Sequence, residues 1–215
     1  MRAGRGDLAS ELIHAARVLA DLECLPATDG NLSARLDAKR VLITRSGIEK
    51  RDLGESGLVE MSLDDAVSPD ASSEWPLHRT LYVNRPEIGS VLHVHAPHLT
   101  AFSAVHRVPS LKLLSEALMA VGEIVCVPFC LPGTEELGTA TVTAGPRASV
   151  YLLANHGAVA VGNDVRETLH RLERAEFLAR VEWLCASLGG GVPIPDDAIS
   201  ALVARSPKQG GTTTP

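Results

Sequence analysis

The sequence predicts an α/β domain of three layers, with helices on either side of a central sheet. Length is the first reason: 215 residues suffice for one domain with a full hydrophobic core. The order of hydrophobic patterns is the second, running helix, several strands, helices, strands and a long helix. The third is the position of the small polar residues, which gather in turns at strand ends. One domain is expected over residues 1–207, and the Gly/Thr-rich residues 208–215 read as a disordered tail. Aromatic residues make up only 3% of the chain, so the core must be built from Ala, Val and Leu.

Taken in order, Leu8, Leu12, Ile13, Ala16, Leu19 and Leu22 recur at helical spacing between Asp7 and Cys24. Gly30-Asn31 then marks a tight turn entering a strand, and such a turn can offer N–H groups to an anion. Arg40–Thr44 is a β-branched strand that ends in a second small turn, Ser46-Gly47, and a weaker strand is expected at Gly57–Met61. Ser72 or Ser73 can cap a helix running from about Glu74 to Val83, with Pro76 allowed in its first turn. Val91–His95 reads as a strand, and His98 begins a helix through Ala104. Residues 108–121 are apolar and fit neither period well. Glu123–Phe129 and Ser149–Ala154 are apolar strands; between them, Thr134 caps a helix with Glu135 and Glu136 in its first turn. Extended structure resumes at Ala158–Val161. Asp164 caps a helix to about Leu188, with Leu169, Leu172, Phe177, Leu178, Val181 and Leu184 expected on its inner side, and Gly189–Gly191 ends it. A last short helix is expected at 195–205.

Composition narrows the function classes. A formal net charge of −6 and the lack of any basic block argue against nucleic-acid binding, although an acidic protein can still hold a small anion in a local positive site. The longest apolar runs are far shorter than a membrane span. Cys24, Cys126, Cys130 and Cys185 are scattered and form no zinc-knuckle pattern, and four free thiols without a secretory signal suggest a cytoplasmic home.

The chemistry concentrates in His93 and His95. Side chains alternate along a strand, so both point to one face about 7 Å apart. Two imidazoles so placed can share one metal ion at bonds of about 2.0–2.1 Å. His156, on a turn before Gly157, is a third candidate. Glu74 reads either as a first-turn acid that favours the helix dipole or as a functional carboxylate beside an anion site made by Ser72, Ser73 and the helix N-terminus.

The segments "GNLSAR", "TRSG", "SSEW", "HVHA", "PGTEEL" and "NHGAVAVG", in this order, resemble the class II aldolase/adducin family, especially its sugar-phosphate aldolases of the L-fuculose-1-phosphate type. The resemblance runs from about Asp7 to Leu188. It implies a central, mainly antiparallel sheet and one zinc ion per subunit held by His93, His95 and His156. Glu74 would be the acid/base carboxylate, able to join the metal when substrate is absent. Gly30, Asn31, Ser46, Gly47, Ser72 and Ser73 would be the phosphate-binding turns. A phosphorylated sugar would be the substrate, in a homotetramer whose neighbouring subunit would also cover residues 108–121. Two departures fall at the aldehyde end: the segment Pro109–Leu114 lacks the tyrosine of the fuculose-phosphate enzymes, and the aromatic C-terminal tail is missing. The same scaffold also carries methylthioribulose-phosphate dehydratases, for which Glu116 is a candidate acid/base, as well as keto-acid-phosphate decarboxylases. Adducin-type members are non-catalytic binding domains. Epimerases of the family usually carry Asp where this chain has Glu74.

Overall fold

The computed structural model describes residues 4–205; the expected tail at 208–215 lies outside the described residues. Seven strands, β1 (Asn31–Arg35), β2 (Arg40–Thr44), β3 (Leu58–Ser62), β4 (Ser90–Val94), β5 (Ile124–Val127), β6 (Val150–Leu153) and β7 (Gly157–Gly162), pair in the order β3-β2-β1-β4-β7-β6-β5. Every neighbouring pair is antiparallel except β5 and β6. The helices are α1 (Arg5–Asp21), α2 (Trp75–Asn84), α3 (Pro97–Ala104), α4 (Ser115–Ala120), α5 (Glu135–Ala144), α6 (Val165–Ala186) and α7 (Asp196–Ala204). None of these is long and apolar enough to cross a membrane.

Two apolar clusters, one on each face of the sheet, make the three layers. On one face Leu12, Leu19, Leu92, Val94, Leu152, Leu172 and Leu178 join α1 and α6 to the sheet. On the other Trp75, Leu77, Leu81 and Tyr82 of α2 pack with Leu137 of α5 on Val91, Tyr151 and Val159. Strand alternation produces the division, since odd-numbered residues of β4 face α2 and even-numbered ones face α6. α2 and α5 lie so close that a Cβ at Gly138 would come within 2.7 Å of Thr80.

Helix ends follow local chemistry. α1 stops at Asp21 rather than Cys24 because Glu23 turns into the left-handed region (φ +59°). Its N–H then bonds Ala20 O, and that of Cys24 bonds Leu19 O, the paired bonds of a Schellman ending without its usual glycine. Thr134 and Asp164 cap α5 and α6, their side-chain oxygens accepting the N–H groups of Leu137 and Glu167. The expected serine cap on α2 does not form: the capping position falls to Glu74, whose side chain makes no capping bond. Ser72 instead shapes the approach, its Oγ accepting the Glu74 N–H at 3.3 Å and its carbonyl that of Trp75 at 3.0 Å.

One further expectation is corrected. Leu169, Leu172 and Leu178 of α6 are buried, but Phe177 and Leu184 are 59% and 46% exposed. Residues 177 and 178 differ by about 100° around a helix, so both cannot face the sheet. Residues 108–121 contain a 3-10 turn, Leu111–Leu113, and α4, and they bury Ala117 and Val121 in this chain's own core. Val108 stays 39% exposed, and most of the other residues of the stretch are only half-buried.

Leu92 is fully buried on the α6 side of β4, and its side chain points away from His93. Leu92→Ala is expected to lower the unfolding free energy by about 2–5 kcal/mol in denaturant titration, while the folded fraction keeps the metal-binding capacity of the wild type.

Candidate metal centre and acid–base site

The site is assembled at one end of the sheet. β4 directs His93 toward α2, and the chain leaves the ladder just before His95, whose N–H bonds Cys24 O at 2.9 Å. His156 comes from the turn between β6 and β7, where Asn155 adopts φ +56°, a conformation that asparagine tolerates better than most residues. Gly157 follows because nothing larger fits: a Cβ there would come within 2.5 Å of Val94 O and 2.8 Å of the His95 ring. The three imidazole centroids form a nearly equilateral triangle, 4.8 to 5.1 Å on a side.

Each ring is oriented through its contacts. His93 Nδ1 donates to the carbonyl of Ala158 at 3.1 Å, which leaves Nε2 to face inward. His95 Nδ1 lies 3.3 Å from Asp29 Oδ2, which likewise leaves Nε2. Carbonyl and carboxylate partners of this kind fix the tautomer and direction of metal-ligating histidines. One ligand atom from each histidine lies within 4.8 Å of the others. Among the described residues, His95 Nε2, His156 Nδ1 and Glu74 Oε1 are buried without a hydrogen-bond partner, and His93 Nε2 has only the Glu74 carboxylate beside it. Buried polar atoms without partners are rare and costly. Three imidazole ligand atoms within 4.8 Å of one another, with the Glu74 carboxylate beside them, fit a divalent cation such as zinc.

Glu74 enters the same space from the start of α2. Oε2 lies 2.9 Å from His93 Nε2, and Oε1 lies 3.6 Å from His156 Nε2. Burial pushes its carboxyl up, but the neighbouring His93 and His156 and the amide of Asn31 outweigh this and hold it well below the usual carboxylate range. Burial, reinforced by His93, pushes His156 down to about 4 and lowers His95 as well. His93 is pulled down by its own burial but raised overall by the Glu74 carboxylate. A cation would replace the proton on this set, because imidazoles ligate in the neutral form.

The three small-residue turns meet at this end. Arg45 bridges Ala71 and the Ser72 N–H bonds Thr44 O at 3.1 Å, which brings the Ser46-Gly47 and Ser72-Ser73 segments side by side. Gly30 precedes β1 at φ +71°, where a Cβ would collide with Leu25 and with His93 O. Ser46, Gly47 and Ser73 are exposed and make no hydrogen bond with any other described residue. Asn31 is different. Its Nδ2 donates to Glu74 Oε2 at 3.1 Å and its Oδ1 meets His78 Nε2 at 2.5 Å, so its side chain is already engaged.

Sequence reasoning overlooked Lys50, His78, Ser33 and Tyr82. Lys50 is buried, and its ammonium donates to Thr28 O and Ile48 O at 2.5 and 2.8 Å, tying two of the turns together. Spacing held a signal for two of the others: Ser33 shares a strand face with Asn31, and His78 lies one helical turn beyond Glu74. Glu116 is exposed and lines a hollow of about 850 Å³ between α1, α3, α4 and α6, whose walls include none of the three histidines.

Comparison with known proteins agrees with this fold. Residues 10–183 match the class II aldolase and adducin N-terminal domain. A methylthioribulose-1-phosphate dehydratase of Bradyrhizobium sp. is 34% identical over 78% of this chain and 86% of its own length. The L-fuculose phosphate aldolase of Escherichia coli K12 is 30% identical over 96% of this chain and 97% of its own. The crystal structure of YgbL from Klebsiella pneumoniae superimposes with a TM-score of 0.85 at 26% identity, covering 94% of this chain and all of that one. With the three-layer fold and the histidine triad in place, the chain belongs to the class II aldolase and adducin N-terminal domain family.

Proposed function

We propose that this chain is a zinc-dependent aldolase that reversibly cleaves a ketose 1-phosphate to dihydroxyacetone phosphate and an aldehyde. One observation carries the reading: the Glu74 carboxylate reaches into the histidine triad, with Oε1 buried and unpartnered. A metal-free binding domain has no use for such a cluster. In retro-aldol cleavage the C4 hydroxyl loses its proton, the C3–C4 bond breaks, and C3 must regain a proton before dihydroxyacetone phosphate leaves. A divalent cation held by His93, His95 and His156 supplies Lewis-acid stabilisation of the negative charge that develops. Glu74, which can also join that cation when no substrate is bound, delivers or removes the proton at C3. The exposed donors of Ser46, Gly47 and Ser73, with the Gly30 turn and Ser72 behind them, suit a phosphate of charge about −2. The Asn31 side chain serves this pocket through Glu74, since both of its polar atoms are engaged.

A dehydratase acting on a related ketose phosphate is the second reading, in keeping with the Bradyrhizobium relative. Its acid/base candidate, Glu116, opens onto a hollow apart from the triad, which favours Glu74 and the aldolase. The two differ in product. Incubation of the zinc-loaded protein with a panel of ketose 1-phosphates should release dihydroxyacetone phosphate; water loss without carbon–carbon cleavage would establish the dehydratase instead.

Four variants test the residue roles. His95→Ala should lose zinc, measured by atomic absorption, together with activity, and stoichiometric zinc in the triple alanine variant of His93, His95 and His156 would refute the ligand set. Glu74→Gln should keep zinc yet lower the turnover by about 10²–10⁴-fold. Exchange of the prochiral hydrogen of dihydroxyacetone phosphate with solvent should fall in parallel, and wild-type exchange would reduce Glu74 to a helix-start acid. Ser73→Ala should raise KM with little change in kcat, a loss of about 1.5–3 kcal/mol for a hydrogen bond to a charged group; failure of inorganic phosphate to compete with substrate would remove the anion site from this position.

A further inference from the structure

A line of buried hydrogen bonds ends on Glu74, and proton transfer by Glu74 does not by itself account for it. Asn31 Nδ2 lies 3.1 Å from Glu74 Oε2, and Asn31 Oδ1 lies 2.5 Å from His78 Nε2. His78 Nδ1 lies 2.7 Å from Ser33 Oγ, which lies 2.9 Å from the Tyr82 hydroxyl. All five residues are buried; His78 and Ser33 are fully so. Two elements contribute: β1 gives Asn31 and Ser33, and α2 gives His78 and Tyr82, with Glu74 at its start.

The donor direction is fixed from one end. An ionised carboxylate only accepts, so the Asn31 amide must turn its NH2 toward Glu74 and its oxygen toward His78. His78 Nε2 must then carry a hydrogen and Nδ1 must accept. Ser33 has a single proton, and the imidazole nitrogen at 2.7 Å claims it over the Val91 carbonyl at 3.5 Å. Tyr82 completes the line by donating to Ser33. No member can reverse without leaving a buried group unsatisfied, which costs about 1–3 kcal/mol.

The two oxygens of Glu74 are therefore inequivalent. Oε2 accepts a fixed amide and lies 2.9 Å from His93 Nε2, while Oε1 is buried without a hydrogen-bond partner, 3.6 Å from His156 Nε2. Resting on the reading of Glu74 as the proton-transferring group, we infer that Asn31 and His78 are positioning residues: they commit Oε2 to a preset donor and leave Oε1 as the oxygen that exchanges a proton with the substrate carbon. A carboxylate locked in one rotation presents that oxygen at a constant distance, and positioning of this kind is worth large factors in rate.

The test uses zinc-loaded protein with 15N-labelled histidine, His78 being assigned by loss of its signals in His78→Gln. The expected result is a neutral imidazole with its hydrogen on Nε2; an Nδ1–H tautomer or an imidazolium would overturn the inference. In the exchange reaction of dihydroxyacetone phosphate, His78→Leu should lower kcat on the order of tenfold to a hundredfold, with KM and zinc content unchanged. His78→Gln, whose amide N–H can donate to Asn31 Oδ1, should recover most of that loss. Equal losses in both variants, or a loss confined to KM, would reject the positioning role. If the wild type exchanges no hydrogen, the aldolase reading fails, and the tautomer still decides the hydrogen-bond line. Should His78→Leu not fold, the tautomer and the Gln variant decide it together.

Discussion

The pairing of Asn31 with His93 across β1 and β4 is the constraint on which the rest of the site depends. It puts the residue that steers Glu74 beside the residue that Glu74 approaches. It also ties the first turn of the sheet to the histidine pair, since Gly30 packs against the carbonyl of His93. Side chains alternate with a period of two, so a slip by one residue would send His93 into the layer of α1 and α6 and bring Leu92 to the α2 side. Leu92 and Val94 prevent this by filling a wholly apolar cluster that has no place for an imidazole. The core thus fixes the register, and the register fixes the site.

The two ends of the sheet meet different physical demands. Away from the histidines, strands and helices bury Ala, Val and Leu with few polar interruptions. At the histidine end, a carboxylate, three imidazoles and an ammonium lie below or near the surface, each of which loses hydration. The losses are offset locally. Lys50 finds two carbonyls, Asn31 meets Glu74, and Ala158 and Asp29 meet the outer nitrogens of His93 and His95. Ionisable groups pressed together at this density are more common at sites of chemistry than in structural cores.

Most of the architecture was legible in the sequence because strand and helix periods are strong where apolar residues are regular. The strand at Arg40–Thr44 and the caps Thr134 and Asp164 were fixed by local patterns alone. His93 and His95 were legible because His-x-His at a strand end is a local geometric statement, although β4 stops at Val94, one residue before the second histidine. What was not legible depended on contacts between distant segments. Phe177 and Leu184 read as inner residues because hydrophobicity alone does not say which edge of a broad apolar stripe the sheet covers. Ser72 read as a cap, yet the turn from the bridge at Ala71 rotates it to Glu74. Asn31 read as part of an anion turn, and the sequence carried nothing to show that both ends of its amide meet partners more than 40 residues away, at 43 and 47 positions.

The scarcity of aromatic residues has an optical consequence. The chain has two tryptophans, and they lie in opposite layers. Trp75 is almost wholly buried, adjoins Glu74 in sequence, and is fixed by a hydrogen bond from its indole to Asp65 O at 2.9 Å. Trp183 lies on α6, 61% exposed, with the His98 ring 5.7 Å away. A soluble quencher reaches the second and not the first. The fluorescence that survives quenching comes from a fluorophore seated next to Glu74, so the protein carries an intrinsic reporter of events beside its histidine cluster.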